Sequence, residues 1–177
     1  MGAEWESGHV GRNQRVQKTN AMRELDRAGV PYLVHTYEPI TGEHLGVRAA
    51  ELIGVEPERS FKTLVTTTPS GGHVVCCIPA PAELDLKAAA RVAGEKALEI
   101  AHTRDLVAEV GYERGACSPV GMRRRFPTIF DESCELYDAV CVSGGRHGLT
   151  LEVPVADLVA FCAATVADIC RKGASPS

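Results

Sequence analysis

A single lysine within an apolar segment is the side chain best suited to chemistry in this sequence. Lys62 lies in the strand-like run 61–65, where alternation places it on one face with Leu64 and Thr66. An ordinary lysine is cationic at neutral pH, so its ammonium group could hold a phosphate or a developing oxyanion. The same pattern also fits a lysine at a strand end whose ammonium group reaches water.

Two glycine-containing loops could supply backbone donors to such a site. Residues 115–119 begin with a glycine and end with a proline, and amides exposed in this loop could orient an ester carbonyl or its oxyanion. Residues 143–148 contain three glycines, and Arg146 among them could add charge-assisted hydrogen bonds to a sugar or phosphate. Each segment also fits an ordinary connector or turn. His147 has no serine or cysteine at a recognised motif spacing and is interpreted as a turn residue.

Familiar signatures of other chemistries are absent from the sequence. It contains no G-x-S-x-G, H-E-x-x-H, G-x-G-x-x-G or Walker motif. Its seven cysteines include no Cys-x-x-Cys pair, and an odd number without an evident export signal does not fit a disulfide framework. Cys162 and Cys170 fall on the apolar stripe of a predicted helix and are interpreted as small buried residues. We therefore expect no metal and no cofactor, and a site that works by positioning and electrostatics.

Length, composition and charge limit the possible partners. The chain has 177 residues, 45% of them hydrophobic, which predicts one globular domain. No apolar run is long enough to cross a membrane, and the N-terminal segment is polar, so we expect a cytoplasmic protein without a membrane partner. A net charge of −4 argues against DNA binding or long contacts with nucleic acid. The consecutive arginines 123–125 fit either a solvated loop or a phosphate contact, which would suffice for an RNA end.

The elements that must position these residues follow from hydrophobic spacing and turn signals. Helices are predicted near residues 21–28, 45–53, 86–93, 103–110 and 155–169. Strands are predicted near residues 30–37, 61–68, 73–78, 97–101, 128–130, 139–142 and 149–153. Tight turns join several strands, and no regular βαβ repeat is present. The pattern predicts a single mixed α/β domain whose mixed or largely antiparallel sheet is flanked by helices.

Taken in order, these segments resemble the YbaK/EbsC-type family, relatives of the editing insertion domain of bacterial prolyl-tRNA synthetase. The matching segments are residues 35–38 (HTYE), 61–64 (FKTL), 84–87 (LDLK), 115–119 (the G-x-x-x-P loop), 127–129 (PTI) and 142–149 (VSGGRHGL). The resemblance covers roughly residues 19–172 and implies that family's fold. Residues 1–18 are expected to form a polar, mobile leader, and residues 173–177 a tail.

The resemblance implies an aminoacyl-tRNA deacylase that acts at the tRNA 3′ end, most simply on Cys-tRNA(Pro). Attack by the substrate thiol or by a positioned water would need neither a metal nor a protein nucleophile. Lys62 matches the lysine that the family needs for deacylation, and Tyr37 and Thr63 match positions that line the same pocket. The implied substrate-binding residues are Gly115, Ala116, Cys117, Ser118, Pro119, Ser143, Gly144, Gly145, Arg146 and Thr150.

One position departs from the YbaK-like pattern and keeps alternatives open. Thr150 stands where that pattern has an acidic residue, although Glu152 shares its strand face and could partly substitute. The amino acid removed could therefore be another one, such as alanine. A non-catalytic module that binds the tRNA 3′ end or a nucleotide together with prolyl-tRNA synthetase remains an alternative. A thiol redox protein is disfavoured because no Cys-x-x-Cys is present.

Overall fold

Two β-sheets and five α-helices make up residues 16–173, the part of the chain that the computed structural model describes. The helices are α1 Asn20–Ala28, α2 Leu45–Leu52, α3 Leu86–Ala93, α4 Thr103–Glu109 and α5 Val155–Phe161. The strands are β1 Leu33–Thr36, β2 Phe61–Thr67, β3 His73–Pro79, β4 Glu99–Ile100, β5 Thr128–Asp131, β6 Ala139–Ser143, β7 Leu149–Pro154 and β8 Thr165–Ala167. Two short 3₁₀ helices, Pro57–Arg59 and Glu132–Leu136, add to the predicted elements.

Two strand pairs are hairpins of consecutive strands, β2-β3 and β6-β7, and the other pairs join strands that are not consecutive. An antiparallel sheet has the order β1-β7-β6, and a mixed sheet has the order β4-β2-β3-β5-β8. The hairpin of β2 and β3 is antiparallel, whereas β5 lies parallel to both β3 and β8. The predicted mixed α/β domain, with tight hairpins and flanking helices, is therefore confirmed.

Local capping signals explain why two helices begin and end where predicted. The Thr19 hydroxyl accepts a hydrogen bond from the backbone of α1, and Gly29 ends that helix in the left-handed conformation. The Asp85 carboxylate accepts two backbone N–H groups at the start of α3, which ends at Gly94. Both helices then bury a narrow apolar stripe.

The predicted C-terminal helix over residues 155–169 is wrong beyond Phe161. Ala163 adopts a left-handed conformation with φ 46°, and the chain then forms β8 along β5. Without β8, the outer edge of β5 would leave its N–H and C=O groups unpaired. Cys162 and Cys170 therefore lie outside a helix, and both are half-buried. The strand predicted over residues 30–37 is also shorter, because only Leu33–Thr36 pairs with β7.

Each face of the mixed sheet covers a separate apolar cluster. Phe61, Val75 and Cys77 pack with the antiparallel sheet and α1 in the larger cluster. Cys76 and Ile78 point to the opposite face, where α3 packs over them. These two faces decide which side chains can share a site.

The chain preceding α1 already contacts the domain. Val16 packs against the larger cluster, and Lys18 forms an ion pair with Asp26. Residues 16–18, predicted to belong to the leader, are thus in contact with α1, while residues 1–15 and 174–177 lie outside the described residues. Between residues 16 and 173, no helix has the length and apolar character needed to cross a membrane.

Candidate active site

Lys62 lies near the start of β2, on the same sheet face as Ser143 of β6. A parallel bridge pairs Ser60 with Cys141, so these two side chains point to one side. Residues two apart in a strand point to the same face, so Lys62 lies on the face of Ser60, and Ser143 lies on the face of Cys141. The start of β2 therefore has β6 as a neighbour, and the lysine faces the surface on which the second glycine loop begins.

The ammonium group of Lys62 is held by a backbone carbonyl. Its Nζ donates a hydrogen bond to the carbonyl oxygen of Ala80 at 3.0 Å, and the residue is half-buried. Burial lowers the pKa of Lys62, while Cys170 and the Glu83 carboxylate act in the opposite direction. An ammonium group has three N–H donors, so two remain for a substrate.

The first turn of α2 connects the lysine to both glycine loops. A Cβ added at Gly46 would lie 3.1 Å from the Cβ of Ala80, the residue whose carbonyl holds Lys62. A Cβ added at Gly115 would lie 2.9 Å from Leu45 and 3.1 Å from the ring of His147. Two consecutive residues of α2 therefore pack against Ala80 on one side and residues 115–119 on the other, with the 143–148 hairpin in contact.

Unsatisfied backbone donors gather at this junction. The first N–H groups of a helix have no intrahelical acceptor. The residue at the N-cap position of α2 is His44, which has φ 54° and makes no side-chain capping hydrogen bond. Within residues 16–173, the N–H groups of Cys117 and Ser118 also have no protein acceptor. The loop that contains Cys117 and Ser118 packs through Gly115 against Leu45 in that first turn, and backbone donors at such a junction would stabilise an anionic oxygen.

A hydroxyl fixes the two glycine loops against each other. The Oγ of Ser143 donates to the carbonyl of Ala116 at 2.8 Å and accepts from the N–H of Gly145 at 3.2 Å. At the far end of the hairpin, the carbonyl of Gly148 accepts from the N–H of Tyr37 at 3.0 Å. The loops and the end of β1 therefore form one continuous hydrogen-bonded rim.

Tyr37 and Thr150 lie on the same sheet face as the lysine. Thr150 pairs with Ser143 across β6 and with His35 across β1, so all three side chains point to one side. Tyr37 follows His35 by two residues and continues that face. Thr150 is buried, whereas Tyr37 is half-buried. The strand register thus places Lys62, Tyr37 and Thr150 on one sheet face, and the hydrogen bonds of Ser143 and Gly148 link the glycine loops to the strands of that face.

Several predicted residues lie elsewhere or contribute only backbone groups. Thr63 is on the opposite face of β2, with its hydroxyl 3.9 Å from the sulfur of Cys77. Burial raises the pKa of the Cys117 thiol to about 12, and this side chain packs into a third apolar cluster with Val65. The Ser118 hydroxyl accepts a hydrogen bond from the backbone N–H of Val120, directly after the loop.

Two residues of the hairpin tip also have structural partners. Gly144 packs so tightly against Leu149 that an added Cβ would lie 2.7 Å from its side chain. The exposed Arg146 donates to the carbonyl of Gln17 at 3.3 Å, so it points to the chain preceding α1. These contacts shape the hairpin and do not by themselves indicate a ligand.

Glu152 is committed to an ion-pair network rather than free to replace an acidic residue at position 150. Its carboxylate accepts from Arg59 and lies 2.8 Å from the Nε2 of His35. The hydrogen bond with His35, followed by the charge of Arg59, holds its pKa below the ordinary value against the effect of burial. His35, Cys141 and Glu152 place possible metal-ligating atoms within 4.8 Å of one another. Arg59 already neutralises this carboxylate.

Sequence reasoning missed three contributors to the site. The carbonyl of Ala80 and the first turn of α2 contribute only backbone, so no side-chain motif could identify them. His147 was interpreted as a turn residue, but its ring packs against Gly115 and lies 3.8 Å from the carboxylate of Glu113. Its position directly after Arg146 in a glycine hairpin was the only available signal.

Comparison with known proteins identifies the family of the chain. Residues 46–161 match the family described as an aminoacyl-tRNA editing domain. Over 157 residues, the chain is 41% identical to EbsC of Enterococcus faecalis, named as a candidate Cys-tRNA(Pro)/Cys-tRNA(Cys) deacylase, covering 88% of this chain and 95% of the relative.

Solved structures show the same fold at lower identity. A hypothetical protein superposes with a TM-score of 0.78 at 24% identity, covering 86% of this chain and 100% of that one. A candidate trans-editing enzyme for prolyl-tRNA synthetase superposes with a TM-score of 0.74 at 23% identity, covering 89% of this chain and 100% of that one. The family match and the identity to EbsC together show that the chain belongs to the aminoacyl-tRNA editing domain family.

Proposed function

We propose that the protein is a trans-editing deacylase that removes a small amino acid, most simply cysteine from Cys-tRNA(Pro), from the 3′ end of a mischarged tRNA. The observation that carries this proposal is the half-buried ammonium group of Lys62, held by the Ala80 carbonyl beside the first turn of α2. Family membership supports the reaction class, and EbsC supports cysteine as the first substrate to test.

The chemistry required of the protein is positioning and charge stabilisation. The two N–H groups of Lys62 not used by Ala80 are available to a phosphate or to the oxyanion that forms on the ester carbonyl. The N–H groups of Cys117 and Ser118 and of the first turn of α2 are further donors for that oxygen. Donors fixed in this way need no reorganisation when the charge develops.

The nucleophile in this proposal belongs to the substrate or to water. The cysteinyl sulfur attacks its own ester carbonyl, the bond to the ribose oxygen breaks, and the thiol proton passes to that oxygen. The products are a thiolactone and a tRNA with a free 3′-terminal ribose. For an amino acid without a thiol, water attacks instead and releases the free amino acid.

The protein thiols are poor candidates for the nucleophile. Burial raises the pKa of Cys117, the cysteine within the loop, to about 12, so it is protonated at neutral pH. Burial likewise raises the pKa of Cys141, on the Lys62 face, to about 12.

Amino-acid specificity should depend on Thr150. This side chain offers a neutral hydroxyl where the YbaK-like pattern has an acid, and Glu152 is engaged by Arg59 and His35. No carboxylate at these two positions is therefore free to bind the substrate amine. A pocket of this kind discriminates by size and by neutral hydrogen bonds, so alanine remains a candidate beside cysteine.

The decisive experiment combines Lys62→Ala with a panel of substrates. The wild-type protein is assayed on Cys, Ala and Ser attached to tRNA(Pro), and products are separated into free amino acid and thiolactone. Loss of the ammonium group should lower deacylation by about a hundredfold or more, as for other oxyanion donors. Lys87→Ala, an exposed lysine on α3, is the matched control and should keep full activity.

Two results would contradict the proposal. Full activity of a folded Lys62→Ala protein would remove the lysine from the mechanism. Binding of tRNA without turnover of any member of the panel would favour the non-catalytic module that acts with prolyl-tRNA synthetase. Association with that synthetase and a cytoplasmic location stay predictions from the sequence, to be checked by co-purification and fractionation.

A further inference from the structure

A cavity lies at the proline end of the G-x-x-x-P loop, away from Lys62. It measures about 270 Å³, and Pro119 at the end of the loop forms part of its wall. The three consecutive arginines 123–125 line it together with Phe126 and Phe161. Neither the proposed mechanism nor the family comparison assigns a role to this cavity.

The charge around the cavity is strongly positive for a protein whose net charge is −4. Three arginines line it against one carboxylate, Glu24, which already forms an ion pair with Arg27 at 2.6 Å. Arg124 is paired with Glu109 at 2.9 Å. Among the described residues, no carboxylate lies within ion-pair distance of Arg123 or Arg125.

Aromatic rings and backbone groups hold these guanidinium groups in place. Arg124 lies 5.0 Å from the ring centroid of Phe126, and Arg125 lies 5.5 Å from that of Phe161. Arg125 also donates to the carbonyl of Phe161 at 3.1 Å. Because both rings are already covered by guanidinium groups, they are poor stacking platforms for bases. The cavity is therefore suited to a backbone phosphate rather than to a nucleobase.

The geometry points to a phosphodiester-binding subsite for the acceptor strand of the tRNA, built from Arg123 and Arg125. This inference rests on the proposed function, which places the aminoacyl ester near Gly115, at the other end of the same loop. Residues 115–119 span at most about 14 Å if fully extended, so the nucleotides leading to the ester can reach the arginines. Phosphates preceding the terminal adenosine would then meet a positive surface that fixes the strand.

Binding of uncharged tRNA tests the subsite independently of catalysis. The double variant Arg123→Gln/Arg125→Gln should bind uncharged tRNA about tenfold more weakly at low salt, since hydrogen bonds to charged groups are lost. The slope of log Kd against log salt should fall by about 1.4 to 1.8, the value for two phosphate contacts. Arg123→Lys/Arg125→Lys should recover most of the salt dependence, because the charge is retained.

Matched variants separate this subsite from general electrostatics and from the proposed function. Lys87→Gln/Arg91→Gln removes the same charge from the exposed side of α3, over the opposite face of the mixed sheet, and should leave both measures unchanged. The subsite and the proposed function fail separately, because binding of uncharged tRNA is measured without turnover: the arginine variant should lose affinity for tRNA whether or not any aminoacyl-tRNA is deacylated. On charged tRNA, the arginine variant should show a raised KM with little change in kcat.

Three outcomes would overturn the subsite. The first is an unchanged Kd and salt slope in the folded double variant. If that variant fails to fold, Arg123→Gln is measured alone. Arg123 makes no side-chain hydrogen bond among the described residues, so this single change should not unfold the protein. The second is an equal loss of binding in the α3 control. The third is displacement of tRNA by inorganic phosphate at an ionic strength where chloride has no effect, which would indicate a small-anion site instead.

Discussion

At the scale of the residue, the site contains one charge whose burial is only partly compensated. Lys62 loses hydration at the start of β2, and the Ala80 carbonyl replaces one of its water contacts. The lowered pKa records the remaining cost of keeping the group charged. An incoming phosphate or oxyanion would restore what burial removed, so substrate binding and lysine protonation should support each other.

Glu152 has the opposite role, because its charge stabilises the fold. Its pKa is held below the ordinary value by His35 and Arg59, so it contributes stability that is present above its unfolded pKa of about 4.5 and is lost as pH falls below it. Glu152→Gln should lower the free energy of unfolding by about 1 to 3 kcal/mol at neutral pH, since Arg59 loses a charged partner. Urea denaturation at a series of pH values measures both effects.

The control for this prediction is Glu51→Gln, an exposed carboxylate on α2. It should leave the free energy of unfolding nearly unchanged at every pH. The difference between wild type and Glu152→Gln should narrow on acidification below about pH 4.5. A difference that is absent at neutral pH, or that stays constant with acidification, would show that the network does not stabilise the fold.

At the scale of the element, the register of β1 against β7 depends on Gly148. This residue has φ +80°, and an added Cβ would lie 2.6 Å from the Tyr37 carbonyl oxygen. That strand end cannot shift without losing the hydrogen bond between Tyr37 and Gly148. The glycine therefore sets how closely the hairpin approaches β1 and, with it, the position of Tyr37 in the site.

Gly148→Ala should destabilise the protein and abolish deacylation together. Gly94→Ala is the matched control, because Gly94 has φ +71° but nothing within 4 Å of an added Cβ. The control should lose about 1 kcal/mol through backbone strain alone, and Gly148→Ala should lose a further 1 to 3 kcal/mol or so through overpacking. Equal losses in the two variants would mean that the close approach to Tyr37 has no energetic weight.

The elements also show which parts of the fold local sequence could predict. Caps and glycine stops identified α1 and α3, and glycine turns between β-branched runs identified both hairpins, since these signals act within a few residues. The prediction of one helix over residues 155–169 was wrong because the apolar spacing fits a helix throughout that stretch. Ala163 breaks it without a glycine or proline, and the reason lies in the distant edge of β5.

The candidate site was only partly predictable for the same reason. Lys62 and the two glycine loops carry recognisable residues, which made them candidates before the fold was known. The sequence alone could not show that Thr63 points away from the face of Lys62. That difference became clear only when the two faces of β2 were seen to pack against different apolar clusters. The partners of the lysine and of Gly115 are residues far apart in sequence, Ala80 and Leu45, which only folding brings near.

At the scale of the whole molecule, segments at both ends complete the domain outside the matched region 46–161. Asn20 of α1 donates to the carbonyl of Gly121 at 2.7 Å. Beyond residue 161, the Asp131 carboxylate accepts the N–H of Ile169 at 3.1 Å, and β8 covers β5. The two glycine loops therefore belong to a domain whose packing extends past the matched residues.

A protein shortened to end at residue 161 should be unstable and prone to associate. It would expose the edge of β5 and leave Asp131 buried without its Ile169 donor. Thermal unfolding and light scattering would show a lower Tm and larger particles than for the full chain, whereas a chain ending at residue 173 should behave like the full protein. A shortened protein that stays monomeric with an unchanged Tm would contradict this role of β8.

The inward orientation of Cys117 has a consequence for the lifetime of the catalyst. A thiolactone is an acylating agent, and a thiolate within reach would capture it and block the pocket permanently. Cys117 lies in the very loop that would hold the ester, yet its sulfur is turned into an apolar cluster and protonated. An enzyme arranged in this way can release a reactive product repeatedly without becoming its own target.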